Sequence, residues 1–247
     1  MTFSIAARCP RTGWLGVATS SKALSSGGLV PYVRSGVGAI ASQSFVNPYL
    51  GIDGLRLLEQ GLAAERAVER LIEDDPGREL RQLGVVDKDG RVAAYTGERC
   101  INWAGHVSGG GYVCLGNILT GDGVVKAMAE AFEHSLDEEL PERLLRTLEA
   151  GQEAGGDRRG RQSAGVYIMS TEEYPYVDLR VDDHTDPILE LRRVFGVWIS
   201  EEQAEPSRLM PTRENFVPHW NEVIRIRETI DEELMETAPG GRAGKES

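Results

Sequence analysis

Hydrophobic and polar positions alternate over short stretches from the start of the chain, and helical periods then interrupt the alternation twice. Thr2–Ala7 and Trp14–Ser20 have strand character, and Cys9–Gly13, with Pro10 and Gly13, supplies the turn of a hairpin. The glycine-rich stretch Ser25–Val30 leads through Pro31–Arg34 to Val37–Ser44. That last run, of small and β-branched residues, suits a strand buried on both faces. Leu55, Leu57, Leu58 and Leu62, then Ala67, Val68, Leu71 and Ile72, fall at helical spacing. Gly61 divides them into two helices, and Asp74-Asp75-Pro76-Gly77 ends the second. Leu80–Val86 and Arg91–Thr96 flank Asp87-Lys88-Asp89-Gly90, a hairpin signal, and Gly110–Leu119 reads as one glycine-broken strand.

The helix pair then repeats as Gly123–His134 and Leu140–Ala150, with Val125, Met128, Ala129 and Phe132 on one face. Ser163–Met169 and Tyr176–Val181 form a closing hairpin, followed by a helix at Pro187–Phe195. Hairpins separated by helix pairs are incompatible with a Rossmann sheet, whose parallel strands need single crossover helices. They fit an α+β fold, a four-layer αββα sandwich of two antiparallel sheets with helices on both outer faces. Residues 2–200 make this domain. Residues 201–247 form a polar extension with one amphipathic helix over Asn221–Met235 and a disordered end at Thr237–Ser247. Trp220, Val223 and Ile224 mark it as a docking or oligomerisation segment.

The 247 residues carry a net charge of −12, which argues against nucleic-acid binding, since that needs a basic stripe. No apolar run reaches a membrane span, and the N-terminus lacks a signal-peptide pattern. Cys9, Cys100 and Cys114 are odd in number and widely spaced, as reduced cytosolic thiols are. His106, His134, His184 and His219 show no metal-ligand spacing, and Gly109-Gly110-Gly111 lacks a phosphate-loop pattern. The expectation is a cytoplasmic protein that needs no metal or cofactor and touches neither membrane nor nucleic acid.

The chemistry concentrates at Thr2. Methionine aminopeptidase removes an initiator methionine that precedes a small side chain, so the mature protein is expected to begin with threonine. A terminal threonine carries its hydroxyl and an α-amine on adjacent atoms, and that amine titrates near ~7.7–8.0. One residue then supplies a nucleophile and its general base. The competing reading is a strand that simply begins Met-Thr.

Four stretches carry a resemblance that bears on this choice: Thr2-Phe3-Ser4-Ile5, Gly16-Val17-Ala18-Thr19-Ser20-Ser21-Lys22, Gly116-Asn117-Ile118-Leu119, and Gly155–Ser163, joined by Val181-Asp182-Asp183-His184. With the element order, they resemble an uncharacterised bacterial family of Ntn-hydrolase-like proteins, within the N-terminal-nucleophile hydrolase superfamily. The resemblance spans about residues 2–200. It implies the four-layer fold, and a reaction in which the terminal hydroxyl attacks a carbonyl to give an acyl-enzyme that water then releases.

On that reading the candidate catalytic residues are Thr2, Lys22, Arg34, Gln43 and Asn117. Lys22 follows the second strand and is placed to lower the amine's pKa, with a solvated strand-end lysine as the alternative. Arg34 competes for the same role. Gln43 and Asn117, isolated in apolar strands, are candidate oxyanion donors or ligands of inter-sheet backbone groups.

The loop Gly155–Ser163 clusters arginines, whose planar forks suit carboxylates. Ser21, Ser44, Asp157, Arg158, Arg159 and Asp183 are the expected substrate contacts, with internal pairing of the arginines to Asp182 and Asp183 as the alternative. His184 is read as a cap for the helix near Pro187. The leading expectation is an amidohydrolase acting on a small anionic substrate, in a homo-oligomer for which a closed dimer is the commoner form. A proteasome-like peptidase and a non-catalytic small-acid binding protein are the alternatives.

Overall fold

Side chains alternate across the first strand, β1 (Thr2–Arg8), and both of its faces are buried. Phe3 lies beside Gly151 of a helical layer, while Ala6 belongs to the cluster of buried side chains between two sheets. A strand so enclosed must be central, and its pairing shows that it is. The computed structural model describes residues 2–202, 210–216 and 220–237.

β1 pairs antiparallel with β2 (Leu15–Ser21) on one side and β8 (Tyr112–Asn117) on the other. β9 (Ser163–Met169), β10 (Pro175–Val181) and β7 (Gly105–Gly109) complete a six-stranded sheet ordered β10-β9-β2-β1-β8-β7. The second sheet has four strands in the order β3 (Pro31–Arg34), β4 (Gly38–Ser44), β5 (Arg81–Asp87), β6 (Val92–Thr96). All pairings within both sheets are antiparallel.

Helices α1 (Pro48–Glu59) and α2 (Ala64–Asp74) cover the outer face of the four-stranded sheet. Helices α3 (Gly123–His134) and α4 (Leu140–Glu153) cover the six-stranded one. The result is the expected α+β four-layer sandwich. Local chemistry sets the helix ends. Asn47 caps α1, its side chain accepting from the Tyr49 N–H at 3.1 Å, with Pro48 at the first helical position. Gly61, at φ +94°, turns the chain between α1 and α2. The start of α2 is capped from a distance, where Asp87 Oδ2 of β5 accepts from the Ala64 N–H at 3.2 Å.

Two elements differ from the sequence expectation. Gly110–Leu119 holds one strand, β8, as expected, but the turn at Gly110-Gly111 joins it to a further strand, β7, that the sequence reading left out. β7 escapes the hydrophobic pattern as an edge strand of alternating half-buried and exposed positions. The short edge strand β3 is likewise set by pairing with β4, not by its own pattern.

The chain divides into two units, Met1–Gly196 and Val197–Ser247. The first holds both sheets, α1–α4 and nearly all of α5 (Pro187–Val197). The second contains a single wide helical turn at Trp198–Glu202 and α6 (Trp220–Thr237), which extends the expected Asn221–Met235 helix at both ends. The remainder of the end expected to be disordered, residues 238–247, lies outside the described residues, as does His219.

Between the sheets the layer changes character along the strands. Ala6, Leu15, Val17, Ala39, Ala41, Val86, Val113 and Leu115 fill one end. Thr2, Ser4, Thr19, Ser21, Gln43, Gln82 and Asn117, all buried, occupy the other. Small side chains let the sheets approach closely. A Cβ on Gly84 would lie 2.9 Å from Val113 Cγ1 and 3.1 Å from Leu115 Cδ2. Gly84→Val is therefore expected to destabilise the protein by about 1–3 kcal/mol through overpacking. The check is a lower urea midpoint with an unchanged m-value.

Candidate functional site

The polar end of the inter-sheet layer is built around Thr2. Strand register sets Thr2 opposite Ser21 of β2 and Asn117 of β8. Thr2 Oγ1 donates to Ser21 Oγ at 3.2 Å, and the Thr2 carbonyl accepts from Gln43 Nε2 of the facing sheet at 3.3 Å.

Gln43 is held on both sides. Ser4 Oγ donates to its Oε1 at 2.6 Å and lies 2.8 Å from Thr19 Oγ1. Gln43 Nε2 also donates to Gln82 Oε1 at 2.8 Å, and Asn117 Nδ2 reaches the same oxygen at 2.9 Å. Gln82 Nε2 in turn faces Gly116 O at 2.8 Å, Thr96 Oγ1 at 3.0 Å and Gly105 O at 3.1 Å. Only carbonyl and hydroxyl acceptors face Nε2, so Oε1 must face the other two amides. The chain of contacts continues from Thr96 Oγ1 to His106 Nδ1 at 3.0 Å, and desolvation holds that imidazole below its ordinary pKa.

This bookkeeping limits what each amide can do. Both Nε2 hydrogens of Gln43 are spent, on Thr2 O and Gln82 Oε1, so its side chain has none left for an oxyanion. Among the described residues, Asn117 Nδ2 uses one hydrogen and keeps one. Gln43 and Asn117 are each followed by a non-glycine residue in the left-handed region, Ser44 at φ +72° and Ile118 at φ +50°. For β-branched Ile118 this is strained backbone. Both turns end their strands at the Thr2 end of the sandwich.

The structure thus brings Thr2, Ser21, Gln43 and Asn117 together, with Ser44 and Lys22 next to them in the chain. The Lys22 side chain is exposed, and its backbone N–H donates to Asp157 Oδ2 at 2.9 Å. Arg34 is elsewhere. It sits opposite Gly38 at the far end of β4, paired on the surface with Glu59 at 2.6 Å, because β4 runs toward Thr2 and Arg34 precedes its start.

Among the described residues, the loop's arginines pair with Asp157 and Asp186, not with Asp182 or Asp183. Asp157, whose side chain is 2% exposed, accepts from Lys22 N and Arg159 N and pairs with Arg159 Nη2 at 3.1 Å. Its carboxylate is occupied in holding the loop and Lys22 together. Arg158 donates through its backbone to Ile118 O and through Nη2 to Asn102 O, while Arg161 pairs with Asp186 at 2.6 Å. Asp183 accepts from Gln162 Nε2 and lines a depression of about 340 Å³ with Lys22, Arg161 and His184. His184 Nδ1 accepts from Asp186 N at 3.0 Å at the start of α5, as a capping residue does.

Gln82, the hub, escaped the sequence reading. It carries the same signal that drew attention to Gln43, a lone amide in an apolar strand. A groove of about 450 Å³ between α1 and α2, which Tyr49, Arg56 and Arg70 help to line, shares no residue with this network. Cys9, Cys100 and Cys114 are buried free thiols. Among the described residues no cluster could hold a metal ion, and no helix is long and apolar enough to cross a membrane.

The model of DUF1028, a family of unknown function, matches residues 2–191 of this chain. The chain belongs to that family. A crystal structure of a DUF1028 protein from Silicibacter pomeroyi is 33% identical, covering 87% of this chain and 97% of its own, with a TM-score of 0.81. Anbu (ancestral beta-subunit) from Yersinia bercovieri matches at 14% identity over 82% of this chain and 97% of its own, with a TM-score of 0.38. No curated protein matches the chain. The DUF1028 match begins at Thr2 and contains every residue of the polar network.

Gln82→Met strips partners from both Gln43 and Asn117, and is expected to cost about 1–3 kcal/mol for each buried amide left unpaired. Arg34→Ala removes only an exposed ion pair and is expected to stay within about 0.5 kcal/mol of wild type. Urea unfolding of the two variants side by side measures the contrast.

Proposed function

We propose that this DUF1028 protein is an N-terminal-nucleophile amidohydrolase in which Thr2, exposed by removal of Met1, is both nucleophile and general base. One observation carries the reading. Thr2 begins the central strand, its hydroxyl beside Ser21 and its carbonyl tied to the facing sheet through Gln43, at the polar end of an otherwise apolar layer. A polar cluster buried there, with each amide oriented by another, is the preorganised setting that acyl transfer needs.

The proposed steps balance as follows. Thr2 Oγ1 attacks the amide carbonyl carbon while its proton passes to the α-amine. The resulting oxyanion collapses, the C–N bond breaks, and the departing amine takes that proton. Water then gives a proton to the α-amine as its oxygen attacks the ester. The C–Oγ1 bond breaks, the acid leaves, and the α-ammonium returns its proton to Thr2.

Asn117, with one amide hydrogen left, is the proposed side-chain donor to the oxyanion. Lys22 is proposed to supply positive charge that keeps the amine neutral. Gln43 takes a positioning role, holding the Thr2 backbone.

The test is hydrolysis of a panel of amide, ureido and N-acyl compounds by wild type and Thr2→Ala. Wild type is expected to turn over at least one of them, and Thr2→Ala to lower kcat by about 10³-fold or more. Undiminished turnover by Thr2→Ala would falsify the assignment. The same mechanism requires a free amine. Intact-mass analysis should find the active protein one methionine residue short. A variant retaining a residue ahead of Thr2 should lose turnover while keeping its unfolding midpoint.

A further inference from the structure

Around the polar floor the loops carry large apolar side chains that the fold does not bury. Leu24 lies three residues beyond Ser21, and Phe45 two beyond Gln43. Ile101 accepts, through its carbonyl, the N–H of Ile118, the residue after Asn117. These side chains are 61%, 57% and 50% exposed, whereas Phe3, Phe132 and Phe195 are buried. They stand on three different loops at the Thr2 end, those that follow β2, β4 and β6.

The backbone beneath each one is held. Ser163 Oγ donates to Ala23 O at 2.6 Å and Ser25 N to Asp182 O at 3.0 Å, bracketing Leu24. Phe45 N donates to Leu80 O at 3.2 Å, and its carbonyl accepts from Arg81 Nη1 at 2.7 Å. Ile101 O accepts at 2.9 Å. Fixed backbone under exposed apolar side chains is preorganised surface, since little ordering entropy is lost when something covers it. A few polar groups inside an apolar surround is also the usual composition of a small-molecule site.

We infer that the substrate carries an apolar acyl group, an aliphatic or aromatic chain on the carbonyl carbon, and that Leu24, Phe45 and Ile101 receive it. This rests on the reading of Thr2 as nucleophile and adds the substrate class. The acid released would then be amphiphilic, its tail on this rim and its carboxylate at the floor.

Binding of the acid needs no nucleophile, so the rim can be tested apart from catalysis. The probes are sodium octanoate and sodium acetate, titrated calorimetrically into the full chain as wild type, Thr2→Ala, Leu24→Ser, Phe45→Ser and Ile101→Ser. Octanoate is expected to bind about tenfold or more tightly than acetate, because burying methylenes favours it. Each serine variant is expected to raise the octanoate Kd about threefold or more and to leave acetate unchanged. Thr2→Ala should keep the preference for octanoate.

Equal affinity for the two acids, or an octanoate Kd unchanged in all three rim variants, overturns the inference. So does a rim variant that alters the sedimentation coefficient and not the octanoate Kd, which would make this face an interface between copies. A fully active Thr2→Ala that still prefers octanoate would overturn the nucleophile and leave the rim standing.

Discussion

Everything at the Thr2 end depends on satisfying three buried amides between two closely packed sheets. Elsewhere the inter-sheet layer is alanine, valine and leucine, with Gly84 permitting close approach. A glutamine placed in such a layer costs stability unless its hydrogen bonds are replaced. Gln82 replaces them by spanning β4, β6, β7 and β8 at once, through Gln43, Thr96, Gly105 and Gly116. It thereby ties the four-stranded sheet to the six-stranded one at the point where apolar packing stops. One orientation, Gln82 Oε1 toward Gln43 and Asn117, then dictates the other two. Gln43 must present nitrogen to Gln82, so its oxygen meets Ser4 and its remaining hydrogen goes to Thr2 O.

That constraint gives the site its rigidity. Thr2, Ser21, Gln43, Gln82 and Asn117 all stand on strands, and α3, α4, α1 and α2 cover the outer faces of those sheets. A group on a strand enclosed on both faces holds its position better than one on a loop. The loops contribute in a different way. Asp157 fixes the backbone at Lys22, and Arg158 fixes the segment after β8, so the arginine-rich stretch braces the mouth of the site. Its guanidinium groups looked available from composition alone, because the carboxylate that meets Arg159 belongs to Asp157 two residues away.

Much of this was legible in the hydrophobic pattern. The helix pairs, the break at Gly61 and the hairpin at Asp87–Gly90 follow from local periodicity and turn chemistry, which act within a few residues. The isolation of Gln43 and Asn117 in apolar strands marked them as polar side chains that need partners, and both are buried and bonded within the network. What escaped was non-local. β7 is a strand because β8 pairs with it; Gly105-His106-Val107-Ser108-Gly109 has no alternation of its own to announce it. Arg34 was placed by its nearness to a strand start. The sense of β4 carries that start away from Gln43, which meets Thr2, by five residues, about 3.3 Å each. Gln82 was visible as an oddity, but its partners lie on four other strands, and no spacing along the chain reports them.

On the proposed reading as a hydrolase, the same geometry separates two properties, substrate preference and chemistry, that such an enzyme must set independently. Groups that would act on a carbonyl belong to the amide-linked floor, where one substitution disturbs several hydrogen bonds. Leu24, Phe45 and Ile101 belong to the rim, where half or more of each residue is exposed. Exchanging an exposed apolar side chain over fixed backbone costs the fold little. Exchanging Gln82 releases two buried amides together. On the proposed reading, substrate preference can therefore be altered at the rim without disturbing the floor. The strands that carry the floor also set Thr2 opposite Ser21 and Asn117, and the amide network adds its hold on the Thr2 carbonyl through Gln43.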